Sequence, residues 1–336
     1  MLPNPSAASA LPAVDLWRLD CRGRMLDCRP ISAGGTGHVV GVLNVTPDSF
    51  SDGGLYRSVQ AALDRAAAMA GEGASVIDVG GESTRPRGAA YGAGAAAVSS
   101  AEETDRVVPV VEAIARALPH VLISVDTYKG DVARAALRAG AHLVNDVRGL
   151  RDGTATARAA ADFNAPLVVM HSAGAPGAMP HENGGTLGGP RGIVEAVGRS
   201  LEAAVAAAEA AGVRHVVADA GFGFGKTPAE NLRLVGQTAG LVERLGRPVM
   251  IGVSRKHTVG VVLGSAGAPA PVGERLVGGL ALAAIAVLAG ASLVRTHDVR
   301  ATAELLRTLA AVAEATRDGG AWPEATRTEP TAEVTR

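Results

Sequence analysis

The chain has 336 residues, 47% of them hydrophobic and only 3% aromatic, enough for one large α/β domain or two smaller ones. Its 32 basic and 33 acidic side chains leave a formal net charge of -1. No global field therefore draws nucleic acid or an acidic membrane, and any anion binding has to be local.

The opening stretch MLPNPSAASALPAVDLW lacks the basic flank and long apolar core of an export signal, so a cytoplasmic protein is expected. The near-duplication LDCRGRMLDCR carries both cysteines, Cys21 and Cys28, around Gly23. With no CxxC spacing and no nearby His, it reads as two reduced thiols on a short hairpin rather than a redox pair or half a metal site.

From residue 38 one unit recurs: a Val/Ile/Leu-rich run that ends in polar residues, then an Ala-rich helical stretch. The runs are HVVGVLNVT (38 to 46), SVIDVGGE (75 to 82), VLISVDTY (121 to 128), HLVNDV (142 to 147), PLVVMHS (166 to 172), HVVADAG (215 to 221), PVMIGVS (248 to 254) and SLVRTHD (292 to 298). Uninterrupted apolar runs suit parallel strands buried on both faces, and windows such as 61 to 72 and 193 to 211 suit crossover helices. Gly73, Gly140, Gly212 and Gly290 stand just before strands, where a left-handed residue ends a helix. Eight units over residues 38 to 316 predict an α/β fold, a single (β/α)8 TIM barrel with an N-terminal hairpin extension; a doubly wound open sheet is the alternative. Residues 1 to 37 are expected to form a flexible lead plus the cysteine hairpin, covering the lower end of the barrel. The uncharged run 276 to 294 is long enough to span a bilayer, but its glycines divide it into a helix and a strand, so no membrane partner is expected. Late helices such as 277 to 290 allow a homodimer through the barrel wall. Residues 85 to 100 read either as a mobile lid or as an incidental insertion, and 317 to 336 as a flexible tail.

A barrel places functional groups just after the carboxyl ends of its strands. Those ends carry Asn44, then Glu82, Ser83, Thr84 and Arg85, then Asp126, Asn145 and Asp146, Met170 and His171, Asp219, Ser254, Arg255 and Lys256, and last Arg295, His297 and Asp298. Any one of these ordinarily satisfies loop backbone, but polar groups on all eight ends point to a site. Arg85, Arg295 and His297, with Arg255 in reserve, are cationic donors suited to a phosphate or diphosphate. Asp126, Asn145 and Asp219 ask for a donor-rich neutral partner, because a carboxylate in a barrel mouth is costly until an amidine-like N–H pair satisfies it. The expected ligand is a flat nitrogen heterocycle at depth with an anion nearer the rim. In DAGFGFGK (219 to 226) the lone G-x-G does not match a dinucleotide fingerprint. Gly221, Gly223 and Gly225 are read as letting the backbone approach a planar ligand beside Phe222 or Phe224, with Lys226 solvated.

GVLNVTPDSFSDGG (41 to 54), IDVGGESTRP, SVDT, VNDVRG, DAGFGFGK, GVSRK and VRTHDV, in this order on an eightfold barrel pattern, resemble dihydropteroate synthase, the folate-pathway target of sulfonamides. The resemblance runs from about Val39 to about Ala310. It implies a transferase that joins 6-hydroxymethyl-7,8-dihydropterin diphosphate to p-aminobenzoate and releases pyrophosphate, assisted by Mg2+. It implies that Asn44 lies by the metal and diphosphate, and that Asp126, Asn145, Asp219 and Lys256 hold the pterin, with Met170, Val147 and Phe224 lining its pocket. By the same carry-over Arg85, Arg295 and His297 bind the diphosphate, and Thr84, Pro86, Ser254, Lys256 and Phe50 face p-aminobenzoate. The implied catalytic set is Asn44, Arg85, Asp126, Lys256, Arg295 and His297, and residues 46 to 54 are expected to close over the second substrate. Ala220 replaces the family's usual Pro, Thr296 its usual Val, and the stretch 87 to 100 is extended. A non-catalytic paralogue would have lost some of these ligands, and a pterin-dependent methyltransferase barrel would leave TPDSF, STRP and SRK without a task.

Overall fold

The computed structural model describes residues 16–45, 54–82, 98–173, 189–265 and 268–317. Strands β1 (Arg18–Asp20) and β2 (Met25–Asp27) form an antiparallel hairpin whose turn contains Gly23 at φ 88. Eight more strands come after it: β3 (His38–Asn44), β4 (Val76–Gly80), β5 (Leu122–Asp126), β6 (Leu143–Asp146), β7 (Leu167–Met170), β8 (Val216–Asp219), β9 (Val249–Ile251) and β10 (Leu293–Thr296). Each pairs in parallel with the next, and β10 closes on β3, so the sheet is a barrel and not the open alternative.

The crossover helices are α1 (Gly54–Glu72), α2 (Ser100–Ala117), α3 (Gly130–Ala139), α4 (Ala155–Asp162) and α5 (Gly189–Ala210), then α6 (Pro228–Gly236), α7 (Thr238–Leu245), α8 (His257–Leu263), α9 (Leu276–Leu288) and α10 (Val299–Arg317). Two crossovers therefore hold two helices each, α6 with α7 and α8 with α9. The run 276 to 294 is α9 plus the start of β10, and among the described residues no helix is long and apolar enough to cross a membrane. The glycines before the strands take positive φ, as at Gly140 (φ 116), where a Cβ would come within 2.8 Å of the Ala115 methyl.

Strand alternation divides the interior in two, because successive side chains point to opposite faces. One set, including Val39, Ile77, Val79, Ile123, Val125, Val144, Leu167, Val169 and Ile251, packs outward against the helices in the main core. The other points into the barrel. Val40, Val76, Leu122, Leu143, Val168, Val217, Met250 and Leu293, one from each strand, form a separate cluster with Leu19, Cys21, Leu26 and Cys28 of the hairpin. The hairpin is thus a plug in the lower mouth of the barrel. Arg22 Nη1 donates to the carbonyls of Leu137 (2.7 Å) and Ala141 (2.5 Å), at the end of α3 where a cation is favoured. Arg24 donates to the carbonyls of Val121 and His120, and Ser292 Oγ donates to Cys28 O at 2.5 Å. Both thiols are free and buried, and burial pushes Cys21 up to about 12, which leaves it unreactive.

Two residues further along each strand the inward positions become Val42, Asp78, Ser124, Asn145, Met170, Asp219, Gly252 and Arg295. This second layer rests directly on the apolar plug and is strongly polar. The register at the β5–β6 seam sets Asp126 opposite Asn145, bringing Asp126 level with that layer.

Candidate functional site

Asp78 is the hub of the polar layer. Its side chain is fully buried, and its Oδ2 accepts from Arg295 Nε (2.7 Å) and from Asn145 Nδ2 (3.0 Å). Arg295 Nη2 also donates to Asp126 Oδ2 at 2.6 Å. A carboxylate only accepts, so Asp78 fixes which way the Asn145 amide faces. Asn145 Oδ1 and Asp78 Oδ1 are buried without a partner. Asp219 Oδ1 accepts from Gly221 N at 2.7 Å. Gly221 has φ 66, and a Cβ there would stand 1.8 Å from His171 O, so only glycine fits this turn.

The electrostatics of the layer are governed by burial. It pushes Asp126 up to about 7 against the pull of Arg295, and it raises Asp219 as well, opposed by the Gly221 N–H and by Lys256. Burial lowers Arg295, but Asp78 and Asp126 outweigh it and hold the guanidinium above its ordinary value. With unfilled oxygens on Asp78 and Asn145, the layer is built to receive hydrogen-bond donors.

Above it lies a cleft open to solvent, lined by Val42, Asn145, Val147, Met170, Asp219, Phe222, Phe224, Gly252, Ser254, Lys256, Arg295 and His297. Of the residues singled out in the sequence, it gathers Asn145, Val147, Met170, Asp219, Phe224, Ser254, Lys256, Arg295 and His297. Asp126 lies behind Arg295, and Asn44 ends β3 half-buried and off the lining. Thr84, Arg85, Pro86 and Phe50 lie outside the described residues, as do 46–53 of the expected lid at 46–54 and 85–97 of the candidate lid at 85–100. Lys256 Nζ sits 4.1 Å from the centre of the Phe224 ring, a cation–π contact on the cavity wall.

Three expectations need correction. His297 is not a cation in the free protein: burial, aided by Arg295, Arg255 and Lys256, pushes it down to about 4, leaving a neutral imidazole 3.3 Å from Ser254 Oγ. Arg255 is not a spare cation, because its Nη2 is bound 2.6 Å from Asp298 Oδ1. Lys226 is not solvated but 1% exposed, and its Nζ donates to the carbonyls of Gly221 (2.7 Å), Phe224 (3.2 Å) and His171 (3.3 Å). Three donors meet three converging carbonyls, an environment that a glycine-rich loop creates only once it is folded. Asp146 likewise serves its own loop, accepting from Arg148 N (2.9 Å) and Thr156 Oγ1 (2.6 Å).

Lys226 thus staples the loop after β8 to the end of β7. Lys226→Met is expected to lower the unfolding free energy by about 3 kcal/mol, since it orphans buried carbonyls. Burial pushes Lys226 from 10.5 down to about 7, so between those values the unfolded chain binds the extra proton and this group's contribution to stability rises with pH. The wild-type advantage over Lys226→Met is expected to widen across that window, as read by urea denaturation at successive pH values.

Reading strand ends alone misses Asp78, which sits in mid-strand. The available signal is its parity: an Asp inside the apolar run VIDVG points to the same side as the inward positions of the other strands.

A family model described as "Pterin binding enzyme" matches residues 40–297. The dihydropteroate synthase of Escherichia coli (strain K12) is 42% identical over 282 residues, covering 83% of this chain and 92% of that protein. Among solved structures, the dihydropteroate synthase of Xanthomonas albilineans with 4-aminobenzoic acid superposes with a TM-score of 0.73 at 42% identity, over 88% of this chain and 98% of that one. The same organism's enzyme in complex with 7,8-dihydropteroate gives a TM-score of 0.70 at 39% identity, with the same coverage.

Proposed function

Since the chain belongs to the pterin-binding enzyme family as a dihydropteroate synthase, we propose that its mouth cavity joins 6-hydroxymethyl-7,8-dihydropterin diphosphate to p-aminobenzoate by alkyl transfer, releasing pyrophosphate. The chain is a transferase; the role of each residue in it is our reading. The observation that carries it is the acceptor-rich floor formed by Asp78, Asp126, Asn145 and Asp219 beneath a wall holding Lys256 and Phe224. A pterin presents an amino group and ring N–H groups along one edge, which would fill the empty Asn145 oxygen and meet Asp126 and Asp219. Val147 and Met170 would pack against its faces beside Phe224, with Lys256 donating at the edge nearer the rim.

In the reaction the bond between the pterin methylene carbon and the diphosphate oxygen breaks, and its electron pair leaves with pyrophosphate. The p-aminobenzoate nitrogen then supplies the new bond and gives up a proton to solvent or to the departing anion. Cationic character on the methylene is stabilised by the Asp126 and Asp219 carboxylates, and the negative charge leaving is met by Arg295 and by the neutral His297 acting as a hydrogen-bond donor. Arg85 would add a second guanidinium. An aromatic amine is already unprotonated at neutral pH, so no side chain has to act as its base. Thr84, Pro86, Phe50 and Ser254 would face p-aminobenzoate.

Among the described residues no three His, Cys, Asp or Glu side chains gather into a metal cage. A single amide such as Asn44, half-buried at the end of β3, fits an ion like Mg2+ that keeps most of its waters and is held chiefly by phosphate oxygens. Asn44 would hold it, and when bound it would draw charge from the diphosphate.

The protein is proposed to act in the cytoplasm, in keeping with two free thiols. It is further proposed to work as a homodimer. Apolar side chains stand exposed on α8 (Val262) and α9 (Val277, Ile285, Leu288), and this is the face proposed to pack against its own copy. Val277→Asp is expected to give a monomer in sedimentation equilibrium; an unshifted dimer would place the interface elsewhere. The activity itself is tested by incubating the chain with the pterin diphosphate, p-aminobenzoate and Mg2+, with a sulfonamide titration alongside. Pyrophosphate release no faster than without protein would refute the reading.

A further inference from the structure

Asn231 lies in α6 and is not among the residues lining the cleft, and no step of the proposed chemistry uses it. It is fully buried, and its amide binds groups from two separate stretches of chain. Its Oδ1 accepts from Gly223 N at 2.8 Å, while its Nδ2 donates to Lys226 O at 3.2 Å and to Thr258 Oγ1 at 2.9 Å. These partners fix the orientation of the amide, since a backbone N–H only donates and a carbonyl only accepts. The helix that carries it is firmly started by a capping box, in which Thr227 Oγ1 accepts from Glu230 N (3.2 Å) and Glu230 Oε2 from Thr227 N (2.8 Å).

These bonds join two parts of the cleft wall. Gly223 and Lys226 bracket Phe224, so one amide holds both ends of the turn that carries this ring. Thr258 is also fully buried and stands two residues after Lys256, the N-cap of α8. The Lys256 ammonium lies 4.1 Å from the centre of the Phe224 ring. Phe224 follows β8 and Lys256 follows β9, so their meeting depends on what ties the two crossovers together. The Asn231 amide is such a tie, and breaking it takes a buried donor from both the Lys226 carbonyl and the Thr258 hydroxyl. Lys226 Nζ gives Phe224 O a second hold, but its partners Gly221, Phe224 and His171 all lie in the loops after β7 and β8.

We propose that Asn231 is a positioning residue for pterin binding: by tying Gly223 and Lys226 to Thr258 it holds Lys256 over Phe224, and so sets the wall against which the pterin packs. The pterin enters through the activity proposed above, whereas the fastening of Lys256 to Phe224 stands apart from it.

The test compares wild type with Asn231→Leu, which keeps the branched shape and removes every bond of the amide, and with Thr258→Val, which removes only the link to α8. Lys256→Met and Lys256→Met/Asn231→Leu complete a double-variant cycle. In the free protein the lysine side chains are read by NMR after isotopic labelling of lysine. The chain's lysines are Lys129, Lys226 and Lys256, and the spectrum of Lys256→Met identifies the signal of Lys256. Protons over the face of an aromatic ring are shielded, so the wild-type Lys256 ε-methylene is expected upfield of an exposed lysine. In Asn231→Leu and Thr258→Val it is expected to move back toward the exposed position. The second readout is calorimetry with 6-hydroxymethylpterin. Asn231→Leu is expected to weaken binding about tenfold in the wild-type background and less than about twofold in Lys256→Met, because an effect exerted through Lys256 is not lost twice. A Lys256 signal unchanged in both Asn231→Leu and Thr258→Val would overturn the fastening and show that Lys226 suffices to hold Phe224. An equal loss of affinity in both backgrounds would overturn the positioning role. Should Asn231→Leu not fold, Thr258→Val takes its place in the cycle, with a loss of about threefold expected in the wild-type background and none in Lys256→Met. A wild type that binds no 6-hydroxymethylpterin would overturn the pterin reading of the cleft, and the Lys256 signal would then judge the fastening alone.

Discussion

Asp78→Asn is expected to lower kcat/KM for the pterin diphosphate by about a hundredfold or more, although Asp78 is not on the cavity lining. The carboxylate makes two decisions. It accepts from Arg295 and Asn145 on one oxygen, which aims the guanidinium and turns the amide so that its oxygen faces the ligand. An Asn at this position can accept through its oxygen but must donate through its nitrogen, so it can present an N–H where Asn145 now donates. The Asn145 amide is then free to flip, replacing an acceptor by a donor against the pterin edge. Arg295 would also be left with Asp126 as its single hydrogen-bonded carboxylate among the described residues. Steady-state kinetics with each substrate varied separately checks this: the loss should fall on the pterin diphosphate, with KM for p-aminobenzoate nearly unchanged. A variant within a few-fold of wild type would show that Arg295 and Asn145 hold their places without Asp78.

Lys256→Ala is expected to lose more than about a hundredfold in activity, because it removes a charge shared by both proposed substrate sites. Its ammonium lies over Phe224 and near Asp219, and its backbone enters α8 directly after Ser254 and Arg255. Packing also depends on it: Gly223 leaves room for the lysine stem, with a Cβ there 3.2 Å from Lys256 Cδ. Lys256→Met keeps the stem and removes the charge, so it separates the two effects. Activity equal to Ala in the Met variant assigns the loss to charge; recovery would assign it to packing around Phe224. Activity of Lys256→Ala within a few-fold of wild type would remove this residue from the mechanism.

The eight strands are legible in the sequence because a parallel barrel buries both faces of each strand, which writes them as unbroken apolar runs. The hairpin is legible for a different reason: Gly23 allows a turn that matches the repeated LDCR on either side. Charge states are not legible in this way. His297 and Arg255 look alike as cations on paper, yet one is neutral through burial among other cations and the other is held by Asp298. Lys226 depends on three carbonyls brought from two loops, and no local pattern encodes that convergence.

The plug at the lower mouth has a consequence for how such a chain can change over time. Arg22 and Arg24 grip main-chain oxygens of Leu137, Ala141, Val121 and His120, atoms that every amino acid supplies. The grip is therefore indifferent to the side chains at those four positions, apart from their packing. Substitution at those four positions leaves the arginine contacts in place, whereas the apolar cluster of Leu19, Cys21, Leu26 and Cys28 with the strands and the bond from Ser292 Oγ to Cys28 O tie the rest of the hairpin to particular side chains, so the two halves of this junction differ in how freely they can vary.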